Sequence, residues 1–256
     1  MITRVVAVGA AAVILGAGLI TPAHAYDREL YTYGAALMVG YSDIPSSLKV
    51  KRGGRYSAGP GDGTRFLCGD EEKSVEYPAG KHVLSVSYEG RDDSSGLDVS
   101  IDVYSSNKQA SAAFSRLRNG LRSCSGAASG QETYGDGSID NWSRLTTTGN
   151  VPLATGSGVT SVFMNKNYED VITGEDADRY TSDSYNVYSL SANTITTTSR
   201  YSGSVLNIPT AERRAVNHVA RKAVSRFRQY SIGSLYSSGE EQFKLTFEGL
   251  LRKWNT

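Results

Sequence analysis

The side chains that could act as nucleophiles, general bases or metal ligands are few and widely spaced. The chain has 256 residues, with three histidines and two cysteines. It contains no His-Glu-x-x-His zinc motif and no Gly-x-Ser-x-Gly nucleophile motif, and the Gly80-Lys81-His82 run lacks the loop and hydroxyl of a phosphate-binding Gly-x4-Gly-Lys-Ser/Thr motif. We therefore predict no catalytic residue, no metal site and no cofactor. The alternative is a hydrolase in which His82 or His218 meets a serine and an aspartate only in three dimensions.

Among the residue types of this chain, the tyrosines are the strongest indication of ligand binding. The chain has 16 tyrosines, and each combines an apolar ring with a hydroxyl, which suits surfaces that bind glycans or proteins. Tyr185, Tyr188 and Tyr201 fall in segments predicted to be late strands, and a groove beside strands is where a ligand would bind. We predict that these three tyrosines bind an envelope-derived or small extracellular ligand.

Two charged segments offer weaker binding hypotheses. Residues 168–183 carry six acidic side chains, which predict a solvated loop, with weak calcium binding as the alternative. These acids are Glu169, Asp170, Glu175, Asp176, Asp178 and Asp183. A later helix carries a basic set that predicts a solvated outer face or contact with an anionic envelope surface. That set is Arg213, Arg214, Arg221, Lys222, Arg226 and Arg228.

The first 25 residues have the pattern of a secretory signal peptide. Arg4 precedes the apolar run Val5–Ile20, and Ala23-His24-Ala25 has the small-x-small form of a cleavage site. The alternative is an uncleaved anchor, but the run is shorter than the roughly 20 apolar residues of a membrane span. We predict cleavage, a secreted or extracytoplasmic protein, and no later transmembrane helix. Cleavage leaves no net charge, which gives no electrostatic argument for nucleic acid.

Export changes the interpretation of the two cysteines. Outside the reducing cytoplasm, Cys68 and Cys124 are expected to form a disulfide bond. A buried pair of free thiols and an intermolecular bridge are the alternatives.

The hydrophobic pattern predicts two blocks of strands, each followed by a helix. Residues 82–88 and 97–103 alternate apolar and polar side chains as strands do, and Ser106 with Gln109 marks a helix start that leads to Cys124. Further strands are predicted at 142–148, 159–165, 185–192 and 195–201, and a second helix follows Pro209. Residues 125–137 are predicted to be a loop, because they are rich in Gly and Ser. This order indicates an α+β fold, with two main helices packed on antiparallel sheet.

Residues 26–230 are predicted to form one ligand-binding domain, and residues 231–256 a tail. In the tail, Phe243, Phe247, Leu250, Leu251 and Trp254 fall at helical spacing, which predicts a short amphipathic helix. It would dock on the domain, or bind a partner or membrane surface, or fray.

These features resemble the PknH-like extracellular sensor domains of actinobacterial envelopes. The resemblance rests on Ser42-Asp43-Ile44-Pro45-Ser46, on the strand pair, on Ser106-x-x-Gln-Ala110 with Phe114 and Leu117, and on Cys124 at the end of the first helix. It extends over about residues 41–230. Family members are attached to membrane Ser/Thr kinases or stand alone as secreted proteins and lipoproteins. The resemblance implies a single α+β domain, a groove between sheet and helices, and the binding of an envelope or external ligand.

The chain departs from the kinase-linked members in two ways. It has no kinase domain, and it can form one disulfide where those members typically carry two. The sequence thus predicts a secreted, non-enzymatic ligand-binding or sensor-type domain. The rivals are the hydrolase described above and an envelope protein-interaction module that uses the stripe Phe243–Trp254.

Overall fold

The computed structural model describes residues 38–61, 63–67, 76–153, 158–173, 178–203 and 207–230. The predicted signal peptide, Cys68 and the predicted tail helix lie outside these residues. Within the described ranges, the chain forms an α+β domain with a large antiparallel sheet and two long helices, which confirms the predicted fold class.

Ten strands and two α-helices occur in the described chain. The first five strands are β1 (Arg55–Pro60), β2 (Thr64–Phe66), β3 (Glu76–Pro78), β4 (His82–Glu89) and β5 (Ser95–Val103). Helix α1 (Asn107–Cys124) follows, and then β6 (Gly126–Thr133), β7 (Ile139–Asn150), β8 (Val159–Thr173), β9 (Asp178–Ser191) and β10 (Thr194–Ser202). Helix α2 (Thr210–Tyr230) comes last, and two short 3-10 turns (Tyr41–Asp43 and Ser46–Leu48) precede β1.

Eight strands form one antiparallel sheet in the order β1-β4-β5-β10-β9-β8-β7-β6, and β2 pairs with β3 beside it. The ladder between β5 and β10, where Val99 pairs with Thr198, joins the first strand block to the second. The two predicted strand blocks therefore join edge to edge into a single sheet. The β9–β10 hairpin turns at Ala192, which takes a left-handed φ of 52°.

The two helices pack on opposite faces of the sheet. Helix α1 lies over Val162, Met164, Tyr188 and Ile195, and its buried stripe ends at Cys124. Helix α2 lies over the alternate residues, and its Val216 and Val219 pack in the same core as Val187. Because successive strand residues point to opposite faces, one strand such as β9 contributes to both cores.

Helix α1 begins where its sequence predicts. The Ser106 Oγ accepts a hydrogen bond from the Gln109 backbone N–H at 3.2 Å, which satisfies a donor that the first turn leaves free. The apolar positions then recur every three or four residues along one side of the helix. The fully buried Leu117 lies in the middle of that stripe.

The apolar side of the β4–β5 hairpin faces α2, the more distant helix in the sequence. Leu97, Val99 and Ile101 of β5 are buried in the core that contains Val216. On the other side of β5, Asp102 is buried and accepts hydrogen bonds from the Gly80 backbone N–H and the Arg65 guanidinium at 3.2 and 3.3 Å. Burial raises the pKa of Asp102. The buried polar residue Asp102 of β5 therefore has hydrogen-bond donors on the α1 side of the sheet.

Two predicted loops were wrong. Residues 126–133, predicted to be loop, form β6, which pairs with β7 along its whole length. The acidic segment, predicted to be a solvated loop, lies largely in the ends of β8 and β9, which run to Thr173 and from Asp178. In both places the local composition favours a loop, but the backbone N–H and C=O groups of the segment form hydrogen bonds with a neighbouring strand. This pairing outweighs the local preference.

Candidate ligand-binding site on the open sheet face

The structure separates two of the three tyrosines predicted to bind ligand. Tyr185 and Tyr188 are both buried, but they lie on opposite faces of β9. The Tyr185 hydroxyl donates a hydrogen bond to Asn217 Oδ1 of α2 at 3.1 Å. Tyr188 packs under α1, and burial raises its pKa. The two side chains therefore belong to the two cores and do not line a common groove.

Tyr201 lies at a cavity. It is 41% exposed on the α1 side of β10, and its ring lies over Gly96, where an added Cβ would be 2.2 Å from the hydroxyl. Together with Tyr180 and Lys166 it lines a cavity of about 380 Å³. Tyr201 is thus the predicted tyrosine that a ligand could reach.

The strands β7, β8 and β9 extend the α1 side of the sheet past the buried cluster under the helix. On this extension Trp142 of β7 pairs with Asp170 of β8, and Asp170 pairs with Tyr180 of β9. Cross-strand partners share a face, so these three side chains form one row. The next rows bring in Tyr168 and Tyr201 on the same side. We call this surface the open face; it carries Asp140, Trp142, Arg144, Lys166, Tyr168, Asp170, Tyr180 and Tyr201.

Four of the eight side chains that define the open face are aromatic. Tyr180 is 53% exposed, and its ring centroid lies 6.4 Å from that of Tyr168 at an interplanar angle of 59°. Trp142 lies against Gly130 of β6, where an added Cβ would come within 2.5 Å of the indole. The absence of a side chain at position 130 therefore lets the indole lie against the neighbouring strand.

Two carboxyl groups meet between these aromatic rings. Asp140 and Asp170 are in side-chain hydrogen-bonding contact, and that contact raises the pKa of Asp170 to about 6, with help from burial and from the negative charge of Asp140. The Tyr134 hydroxyl donates to Asp140 Oδ2 at 3.4 Å. Asp140 is only 8% exposed, and no donor in the described structure reaches its Oδ1 or the Oδ1 of Asp170. This pair has acceptor capacity that the protein itself leaves unused.

The acidic residues of 168–183 do not gather at one point. Asp170 and Asp178 lie on the open face, whereas Glu169 and Asp183 lie on the other face of the sheet. Glu169 pairs with Arg179, and Asp183 accepts from the Ile208 backbone N–H. Among the residues that the structure describes, no group of three or more His, Cys, Asp or Glu side chains could hold a metal ion.

The two histidines of the hydrolase hypothesis lie on the α2 side of the molecule. His82 is 8% exposed on β4, across the ladder from Val103. His218 is half-buried on α2. Neither belongs to the open face, so a hydrolase built on them would need a site elsewhere.

Part of the predicted basic face of α2 is used inside the domain. Arg213 donates to the Ile208 carbonyl at 2.9 Å and lies over the Tyr185 ring at 5.8 Å. Arg226 donates to the Met38 carbonyl at 2.9 Å and pairs with Asp43. Arg214, Arg221 and Lys222 are exposed and remain candidates for contact with an anionic surface.

Two other cavities are less specific. One of about 550 Å³ lies on the opposite face of the extension and is lined by Ser129, Leu145 and Asn167 among others. Another of about 260 Å³ lies between Arg118 and Arg122 of α1 and the end of β7. Neither brings several aromatic rings together with a buried carboxylate that lacks a donor.

Sequence signals for the residues of the open face are weak. Trp142 lies in a segment predicted to be polar and β-prone, and Asp170 in a segment predicted to be a solvated acidic loop. Period-two spacing of Tyr168 and Asp170 and of Asp140 and Trp142 places each pair on one face of a strand. The pairing of β7 with β8, which brings the two sets together, depends on the tertiary structure.

The chain is similar to a solved structure, the extracellular domain of PknH from Mycobacterium tuberculosis. The two share 11% sequence identity with a TM-score of 0.44, over 79% of this chain and 96% of that one. No protein-family model and no curated protein matches the sequence. Within the described residues, no helix is long and apolar enough to cross a membrane. Membership in the family that the sequence motifs resemble stays a prediction.

Proposed function

We propose that this chain is an exported, non-enzymatic ligand-binding domain and that its ligand binds at the open face. The observation that carries the proposal is the row Trp142–Asp170–Tyr180, in which a half-buried indole and an exposed tyrosine ring flank a carboxyl group with an oxygen that accepts no hydrogen bond. Exposed aromatic rings on a sheet are costly to hydrate and gain free energy when a ligand covers them.

Export and the disulfide belong to the same proposal. We propose that residues 1–25 are removed and that Cys68 bonds to Cys124. Leu67, next to Cys68 in the chain, is 5% exposed and lies in the same core cluster as Cys124. The described chain contains no free cysteine.

Binding can be tested with the full chain produced in an actinobacterial host. The protein is incubated with a detergent extract of envelope lipids and glycans and is then analysed by native mass spectrometry. A retained mass is expected for the parent and for Tyr185→Phe, which keeps the buried ring. It should be lost in the double variant Trp142→Ala and Tyr180→Ala. Retention by that double variant, or no retained mass at all, would reject the open face as the site.

Export is tested separately from binding. N-terminal sequencing of the tagged protein from the medium and envelope should start at Tyr26. Recovery of the intact chain from the cytosol alone would reject the predicted leader, without bearing on the open face.

A further inference from the structure

The proposed binding site has a local charge that favours one class of ligand. The groups that face Asp140 and Asp170 from the strands packed around them include two further acids, three tyrosines and one arginine. They are Glu132 of β6, Arg144 of β7, Tyr168 of β8, Asp178 and Tyr180 of β9, and Tyr134 in the β6–β7 turn. With Asp140 and Asp170 themselves, four carboxyl groups lie near the Arg144 guanidinium, and Lys166 is the other cation of the open face, so the site has an excess of negative charge when its acids are ionised.

The two central carboxyl groups repel each other when both are ionised. Asp140 is buried beyond nine-tenths, and its Oδ1 has no donor within the described structure. A buried carboxylate without a partner costs free energy, and a second one beside it raises that cost. Either a shared proton or a bound cation relieves the repulsion.

The aromatic rings around the pair are suited to an organic cation. Trp142 and Tyr180 flank Asp170 on the two neighbouring strands, and Tyr168 lies two residues before it on the same face. An ammonium group within about 6 Å of such rings is attracted by their electron-rich faces. A metal ion would require more oxygen ligands than this pair provides.

We propose that the open face binds a ligand through a protonated amine or quaternary ammonium group, which lies between the aromatic rings and against the carboxylates of Asp140 and Asp170. This inference rests on the proposed function, since it names the chemical class bound at the same site. The cation takes the place of the shared proton, so binding releases a proton and strengthens as pH rises through the pKa of Asp170, about 6.

Choline is the probe, and its neutral carbon isostere, in which a quaternary carbon replaces the nitrogen, is the matched control ligand. Titrations use the full chain and are followed by NMR of the tyrosine and tryptophan rings at pH about 7.5 and about 4.5. Choline should bind, and its affinity should fall about tenfold or more at the lower pH, because the proton competes for the pair. The isostere should bind at least about tenfold more weakly than choline at the higher pH.

Two substitutions test whether choline binds at the open face. Asp170→Asn should weaken choline binding about tenfold and remove its pH dependence. Glu169→Gln removes the same charge one residue earlier on β8, but on the opposite face, and should change neither quantity. Thermal melts of both variants check that the fold is kept.

The results of these titrations distinguish an error in the proposed ligand class from an error in the proposed binding site. Two outcomes would overturn the cationic ligand but keep the proposed function. One is equal binding of choline and its isostere, and the other is no binding of choline while an envelope glycan binds at Trp142 and Tyr180. Calcium binding that depends on Asp140 and Asp170, without choline binding, also overturns it. Absence of binding by choline and by the whole envelope extract overturns both proposals.

Discussion

The carboxyl groups of Asp140 and Asp170 are in hydrogen-bonding contact across the β7–β8 ladder, on a sheet surface flanked by aromatic rings. Both residues lie outside the two apolar cores. An acidic pair in this position adds nothing to core packing, and at neutral pH it carries the cost of repulsion between two like charges. This cost makes the pair a candidate for ligand recognition and leads to a stability test.

Asp170→Asn should stabilise the folded protein at neutral pH. The pKa of Asp170 is raised from 3.8 to about 6 in the folded state, so the folded state holds this proton more tightly than the unfolded state does. The resulting stabilisation is complete below pH about 4 and is lost as pH rises through about 6. The variant should gain about 1 kcal/mol at neutral pH, less than the full shift implies because the site is open to water.

Urea denaturation of both proteins at several pH values measures that difference. It should be near zero in acid and grow toward neutral pH. A constant difference across this range would show that Asp170 does not titrate as described.

Gly130→Ala should displace the Trp142 indole from β6. The added methyl group would lie within 2.5 Å of the ring, so the indole must move while the backbone keeps an ordinary conformation. Fluorescence and near-UV circular dichroism, recorded in a Trp254→Phe background, should change together with ligand binding. Gly135→Ala is the control, because nothing lies within 4 Å of its added Cβ. Unchanged spectra in Gly130→Ala would contradict the described position of Trp142.

Glu212→Ala should destabilise the domain strongly. The Arg200 side chain is 4% exposed, and its Nε donates to Glu212 Oε2 of α2 at 3.0 Å. Without that carboxylate, a buried guanidinium keeps the Gly96 carbonyl, at 3.3 Å, as its remaining described acceptor. We expect a loss of about 3 kcal/mol in the free energy of unfolding.

Arg214→Ala is the matched control for Glu212→Ala, since Arg214 is exposed on the same helix and should cost less than about 0.5 kcal/mol. Equal effects of the two substitutions in chemical denaturation would mean that the Arg200–Glu212 pair does not fix α2 to the sheet.

Reduction should destabilise the protein if Cys68 and Cys124 are bonded. In the chain-entropy model, a loop between these positions contributes about 4 kcal/mol. The mass of the denatured chain should rise by two hydrogen atoms with reductant, and its thermal midpoint should fall. The double variant Cys68→Ser and Cys124→Ser should show neither response. Identical masses of the parent with and without reductant would reject the bond.

The local elements that could be predicted from the sequence are those whose signals lie within a few residues of each other. Alternation in 97–103 predicted a strand with one buried face, and the Ser106 cap with the stripe through Leu117 predicted α1. These features depend on the period of side-chain direction and on hydrogen bonds within one turn, so neighbouring residues suffice to encode them.

Which surfaces these elements share depends on the tertiary structure. The sequence predicts that Tyr185 and Tyr188 bind the same ligand, but the pleat of β9 directs their side chains into separate cores. Trp142 and Asp170 lie in two polar segments that no sequence pattern connects, yet the β7–β8 register makes them direct cross-strand partners. Register is a long-range property, fixed by the burial of both faces of the central strands under α1 and α2, and no local pattern specifies it.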